Sequence, residues 1–304
     1  MSTTPQPAGA SEQPVTATPE IVGRTDEAKA ARKEQFAQLK RSKTFLAGAV
    51  LVIFWVLCAI FGSLVVPNDP LNANPLNDLL APGGEYWFGT DRLGRDVFSR
   101  VIVGARDILI VAPAATLLGT VVGTVLGLLT GFFRGMVDDV LSRFIDAFLA
   151  LPVIVIALLT LVALGPSKLT VIFTVGLLFA PVISRTVRAA VLTERELEYV
   201  AAARLRNEGT PYVLFGEILP NVMGPVMVEF TVRLGYAIFT IATLSFLGFG
   251  IQPPAPDWGL QIFEHYALIS GGFWWTVLFP AAAIGTLVIG FNLIADGVSS
   301  AFEQ

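Results

Sequence analysis

Few residues in this 304-residue chain can do chemistry, and their numbers exclude most kinds. There is one histidine, His265, and one cysteine, Cys58. No intrachain disulfide can form, and a protein-bound zinc or haem site lacks its ligands. Cys58 reads as a small packing residue, and His265 as a surface residue in a loop. No G-x-x-x-x-G-K-[ST] phosphate loop occurs, so ATP has to bind on another chain. Neither H-E-x-x-H nor G-x-S-x-G is present, which argues against an intramembrane hydrolase. What remains are charges set inside apolar runs. Glu229 and Arg233 stand four apart with Glu first, the favourable order for a helical pair. Asp146 lies one turn inside another apolar run. Such charges are expensive in lipid and must face protein or water, so each is a candidate for a helix–helix lock or a solute path.

The densest polar stretch in the second half runs from Thr193 to Asn221. It carries Glu194, Arg195, Glu196, Glu198, Arg204, Arg206 and Glu208 around Val200-Ala201-Ala202-Ala203. These strong helix formers predict a helix over about 194–206. Tyr199, Ala202, Ala203 and Arg206 then fall near one face, and the small side chains there would let another protein approach closely. Gly209 and Pro211 stop the helix, and Leu219-Pro220-Asn221 turns into the next apolar run.

The elements that position these residues follow from composition. The chain is 54% hydrophobic and 14% charged, against roughly 25% charged in a soluble domain. The pattern predicts an all-α integral membrane protein with six transmembrane helices and both termini cytoplasmic. Residues 1–43 form a polar tail whose first twenty residues cannot order themselves. Its later, basic part, from Thr25 to Lys43, suits a helix on the membrane surface and marks the cytoplasmic side. Residues 44–66 are long enough to span as a permanent anchor; the long tail and the lack of an A-x-A site argue against cleavage. Residues 67–107, with Pro67, Pro70, Pro75 and Pro82, form an extracytoplasmic turn-rich loop. A five-helix core fills 108–296, and 297–304 return to the cytoplasm. Within the core, Gly119, Gly123, Gly127 and Gly131 mark a packing seam. Asp139 and Arg143 are spaced to pair, and Pro152 should kink the third span. Trp258, Trp274 and Trp275 suit the headgroup level. Lys and Arg concentrate in the segments placed inside, which agrees with this orientation. Alternating Asp and Arg from Asp91 to Arg106 read as a knot of ion pairs that shapes the outer loop.

Three stretches carry a family resemblance. Glu198-Tyr199-Val200, Ala202-Ala203-Arg204 and Ile218-Leu219-Pro220-Asn221 resemble, in register, the EAA loop of binding-protein-dependent ABC importer permeases. Two positions depart: Ala201 stands where that loop has its Glu, and Asn207 where it has Gly. The run from Phe88 to Arg106, with Gly89, Thr90, Asp91, Gly94, Arg95 and Asp96, resembles a signature of dipeptide, oligopeptide and nickel permeases of the C-type subunit. Thr243 to Gly259, with Gln252, Pro253, Pro254, Trp258 and Gly259, resembles a second signature of that family, and Phe291 to Gly297 its ending.

The resemblance implies the ABC importer permease fold in a multi-pass protein of the inner membrane. It implies a membrane subunit, not an enzyme, that moves dipeptides or oligopeptides delivered by an extracytoplasmic substrate-binding protein. Its partners would be a homologous second permease subunit, two ABC ATPase subunits and the lipid bilayer, with no nucleic acid. ATP and Mg would sit on the ATPases, leaving this chain without cofactor or metal. Glu196, Glu198, Tyr199, Ala202, Ala203, Arg204, Asn207 and Gly209 are the residues expected to couple it to the ATPases. Nickel chelates or haem would fit the same scaffold. A secondary transporter would instead show inverted repeats and broken midplane helices, which are not found. A membrane receptor or scaffold is the third reading.

Overall fold

The computed structural model of the chain describes residues 39 and 41–302. The tail, and nearly all of the basic surface helix expected before Lys43, lie outside the described residues. The described residues are almost wholly helical, and their one β feature is an isolated bridge between Thr90 and Asp96.

Helix α1 (Lys43–Val65) starts at Ser42, whose Oγ accepts the Phe45 N–H at 3.3 Å. Much of its apolar surface is exposed, as in Ile53, Ile60 and Leu64. α2 (Val97–Phe132) is 36 residues long, or ~54 Å at 1.5 Å per residue. It begins well before the expected start at residue 108, so the outer loop is shorter than predicted. Asp96 sets this start: its carboxylate accepts the Phe98 N–H at 3.1 Å and the Ser99 hydroxyl. Arg100, Arg106 and Asp107 interrupt the apolar pattern of these first turns and hide the helix from a hydropathy reading.

The expected kink at Pro152 is a corner. α3 (Met136–Leu149) and α4 (Val153–Leu164) meet at 88°. Proline lacks the N–H that would continue the helix and pushes the preceding residue out of the helical region, so Pro152 becomes the N-cap of α4.

α5 (Lys168–Glu194) packs along α2. The glycine seam forms their contact. A Cβ placed on Gly119, Gly123, Gly127 or Gly131 would come within 2.6–2.7 Å of α5 atoms. α6 (Glu198–Leu205) follows after a three-residue turn. A helical turn at Thr210–Tyr212 and a π-helical turn at Val213–Ile218 then run into α7 (Leu219–Phe246), making one helical rod from Thr210 to Phe246. α8 (Trp258–His265) is short. α9 (Trp275–Phe302) packs against α1 and α7 and carries the helix past residue 296, where the core was expected to end. Among the described residues, five rods are long and apolar enough to cross a membrane, or six if the bent α3–α4 pair counts as one span.

Candidate functional site

The Thr193–Asn221 stretch is built differently from the single helix its composition predicts. Thr193 and Glu194 finish α5. The chain then turns because Arg195 reaches across to α2. Its guanidinium donates to the Gly131 and Phe132 carbonyls at 3.1 and 2.8 Å. A cation on the last carbonyls of a helix also meets the negative end of its dipole. Glu196 bridges Arg195 at 3.0 Å and Arg134 at 2.9 Å. Leu197 is extended and opens α6. Arg204 lies over the Phe132 ring, 4.9 Å from its centroid.

The faces of α6 are now assigned. Val200 and Ala203 are fully buried in the chain's own core. Tyr199 is half-buried and donates to Glu194 at 2.8 Å. Burial and that carboxylate push its hydroxyl pKa upward, so it stays protonated. Glu198, Ala201, Ala202, Arg204 and Leu205 are exposed, Leu205 by 85%. The expected face of Tyr199, Ala202, Ala203 and Arg206 therefore divides: Tyr199 and Ala203 point inward, Ala202 and Arg206 outward.

Asn207 ends the helix in the left-handed conformation, at φ 57°. The Glu208 N–H donates to Ala203 O at 3.2 Å and the Asn207 N–H to Arg204 O at 3.0 Å, the paired bonds of a Schellman cap. Asn does there what Gly usually does. Gly209 is extended, not left-handed.

The charges set inside apolar runs form two kinds of pair. Glu229 and Arg233 meet on α7 at 3.0 Å, with side chains 15% and 17% exposed. Thr186 of α5 donates to Glu229 at 2.8 Å, tying the two helices together. Asp146 of α3 pairs with Arg185 of α5, and both side chains are more than half exposed. The expected Asp139–Arg143 pair does not form. Arg188 instead forks onto Asp138 at 2.9 and 2.7 Å, and Ser142 donates to the same carboxylate. That two-point geometry is the stronger arrangement, and it leaves Asp139 and Arg143 facing out.

At the opposite end, the outer loop is tied to α8 and α9. Gly89 and Gly94 adopt φ 75° and 69°, and a Cβ on Gly94 would sit 1.8 Å from Asn74 O. Asp91 accepts the Leu93 and Arg95 N–H groups and pairs with the Arg95 guanidinium at 2.6 Å. Arg95 bonds onward to Glu264 at 2.9 Å, and buried Arg100 stands 3.7 Å from Asp91. This is the ion-pair knot read from the sequence, closed by an acid from a distant segment. Thr90 is buried, accepting from the Leu80 N–H and offering its carbonyl to Trp275 Nε1 at 3.1 Å.

Two expectations fail here. Trp258 and Trp275 are 2% and 6% exposed, so of the three tryptophans only Trp274 is at the surface. Trp258 Nε1 donates to Val101 O at 2.8 Å, with Gly104 making the room. His265 is also buried, its Nδ1 2.7 Å from Gln261 O. Burial lowers its pKa. α8 is amphipathic, and its inward face takes His265, Gln261 and Trp258 together. Asp257 caps α8 through the Leu260 N–H at 2.8 Å. Burial pushes its carboxyl up to about 6. Gln252 donates to Gly248 and Gly250 carbonyls, Gly259 lies against Ala242 O, and Pro253 and Pro254 are exposed.

With this geometry in place, comparison with known proteins settles the family. Residues 123–304 match the binding-protein-dependent transport system inner membrane component. Residues 32–82 match the N-terminal transmembrane domain of oligopeptide transport permease C.

The chain belongs to this permease family.

A dipeptide transport system permease of Alkalihalophilus pseudofirmus is 37% identical over 271 residues, 89% of each chain. A di/tripeptide transport system permease of Pseudomonas aeruginosa is 36% identical over 279 residues, covering 89% of this chain and 91% of that one. A glutathione transport system permease of Salmonella typhimurium is 37% identical over 284 residues, 93% of each. Among solved structures, a chain of the inward-facing MetNI methionine ABC transporter aligns with TM-score 0.55 at 17% identity, over 67% of this chain and 97% of that one. That likeness speaks for the fold. The permease is thus a multi-pass inner-membrane protein of ABC transporter architecture, and permeases of this family are not themselves enzymes.

The sequence reading missed Arg195, Thr186, Glu264 and the Asp138–Arg188 pair. Each is defined by a partner at least 40 positions away, which local spacing does not reveal.

Proposed function

We propose that this permease is the membrane subunit of an ATP-driven importer of dipeptides or short oligopeptides. A binding protein would deliver the peptide at the end formed by the outer loop and α8. Two ATPase subunits, carrying the ATP and Mg, would dock at the cytoplasmic end on α6, and a homologous second permease would complete the path. The observation that carries the docking role is the division of α6 into two faces. Val200 and Ala203 hold it to its own chain, while Glu198, Ala201, Ala202 and Leu205 are left uncovered. An exposed leucine beside two alanines on a rigidly held helix is a small, close-approach surface of the kind another protein fills. Glu198 is the acid placed to serve where Ala201 lacks one.

ATP binding would draw the ATPases together and move α6, and the attached helices would switch between inward-open and outward-open packing. ATP shifts that balance only by favouring one state. The peptide assignment is supported by relatives that transport dipeptides, tripeptides and glutathione.

The test is Ala202→Arg. This exposed position should tolerate the change in the isolated chain, while ATPase co-purification and peptide uptake into vesicles are lost. Wild-type uptake with both ATPases still bound would remove the docking role. A wild-type permease that moved peptide with no ATPase present would support a secondary transporter instead.

A further inference from the structure

α2, α3 and α5 line an open cavity of about 360 Å³ in which Thr130, Ser142, Asp146, Ser184, Arg185 and Arg188 stand beside the apolar Ile145. Pockets for small ligands run from ~300 to 1,000 Å³. The two arginines differ in occupation. Arg188 is used up, forked onto Asp138. Arg185 touches Asp146 through one nitrogen, and neither side chain makes any other hydrogen bond among the described residues. A guanidinium has five donors and a carboxylate about four acceptor sites, so most of this pair's capacity is unspent. Their side chains are 56% and 59% exposed.

Depth decides what that exposure means. Arg185 precedes the last residue of α5 by nine positions, ~13 Å of helix. The 27 residues of α5 span ~40 Å against a hydrocarbon core of ~30 Å. Centred on that core, the pair lies roughly 8 Å inside it. An arginine can stretch toward the surface, but the short Asp146 side chain cannot. A half-exposed carboxylate at this depth has to face water or a polar solute, not lipid. At the same level, Glu229 is closed off by Thr186 and Arg233, so the open charges are on the α3–α5 side alone.

Resting on the import reading above, we propose that this cavity is a station on the translocation path for a zwitterionic peptide. The Arg185 guanidinium receives the peptide carboxylate and Asp146 its ammonium, each released from the other as the peptide enters. The site reads the two termini and not the side chains, which suits a transporter of many peptides.

The chain's single cysteine makes the test clean. Ser142→Cys in a Cys58→Ser background places one thiol on the cavity wall. The complete transporter, with its second permease and ATPases, is treated from the α6 side with a negatively charged methanethiosulfonate. The introduced thiol should react, and Ala-Ala should slow the reaction by 1 + [L]/Kd, about threefold at twice Kd. N-acetyl-Ala-Ala-amide, which lacks both charges, should not protect. Asp146→Asn with Arg185→Gln should abolish protection while the complex still assembles. Any of the following results would overturn the proposal. The thiol could react only after the subunits dissociate, which would mean the second permease covers the pair. The blocked peptide could protect as well as Ala-Ala. Protection could survive the double replacement. Wild-type uptake of Ala-Ala in the same vesicles separates the two levels: intact uptake without protection sinks the station alone, whereas absent uptake sinks the import reading as well.

Discussion

Gly127→Ala is the sharpest test of what holds the bundle together. A Cβ at this position would lie 2.6 Å from Val187 Cβ and 2.8 Å from Ser184 O. Favourable carbon contacts sit at ~3.5–4.0 Å, so α2 and α5 would have to part by about 1 Å. Neither atom is the end of a flexible side chain, and the neighbouring glycines hold the helices together on both sides. Overpacking of this kind costs ~1–3 kcal/mol. Against it stands the helix-propensity gain of Ala over Gly, ~0.5–1 kcal/mol. The net loss is then up to ~2.5 kcal/mol, or several degrees in melting temperature at roughly 2–4 °C per kcal/mol. Gly285 provides the control: it lies inside α9, and a Cβ there meets nothing within 4 Å. Gly285→Ala should keep the propensity gain and melt slightly higher. Both variants would be followed by thermal unfolding of the detergent-solubilised chain. If Gly127→Ala melted at or above the wild-type temperature, the seam would not be a close-packed contact and the reasoning would fail.

Three further outcomes follow from the same geometry. A double-mutant cycle with Glu229→Gln and Arg233→Gln should return a coupling of ~0.5–3 kcal/mol; a value near zero would mean the pair locks nothing. Arg195→Lys should destabilise the chain, since one ammonium cannot replace the guanidinium fork on two carbonyls, and unchanged melting would show those carbonyls are served by water. Asp257, raised to about 6 by burial, against an ordinary value near 3.9, binds its proton more tightly folded than unfolded. Its charge therefore opposes folding above pH ~6, and the opposition fades as pH falls toward ~4. Asp257→Asn, still able to cap α8, should be more stable than wild type at pH 7, keep roughly half of that advantage at pH 5 and lose most of it by pH ~4; an advantage independent of pH would refute the burial argument.

The parts of this architecture that were legible are those written locally. The apolar runs gave the rods, the four-residue glycine period gave a packing seam on α2 though not its partner α5, and the Glu229–Arg233 spacing gave the pair now seen at 3.0 Å. The ion-pair knot at the outer loop was legible too, though Glu264 was not. The failures share a cause. Arg195 breaks the expected 194–206 helix because two carbonyls more than 60 positions away accept from it. Trp258 and His265 were placed near the surface because an eight-residue helix between two spans does not announce which neighbours will cover it. α2 starts early because polar residues in its first turns find partners in the outer loop and α8.

The anchoring of α6 also changes how force on it would be felt. In sequence the stretch joins α5 to α7. Arg195 and Arg204 add a third attachment, to the last turn of α2. α2 and α5 are in turn fused along the glycine seam, where backbone meets backbone and little slip is available. A push on α6 would therefore move α2 and α5 as one body. The joint on the other side is the π-helical turn Val213–Ile218 that carries α6 into α7. Single π-turns of this kind are frequent at functional sites. If docking at α6 drives this permease, the relative motion belongs between the α2–α5 pair and α7. The Thr186–Glu229 bond crosses that boundary, which makes it the contact whose loss should change the balance between inward-open and outward-open states.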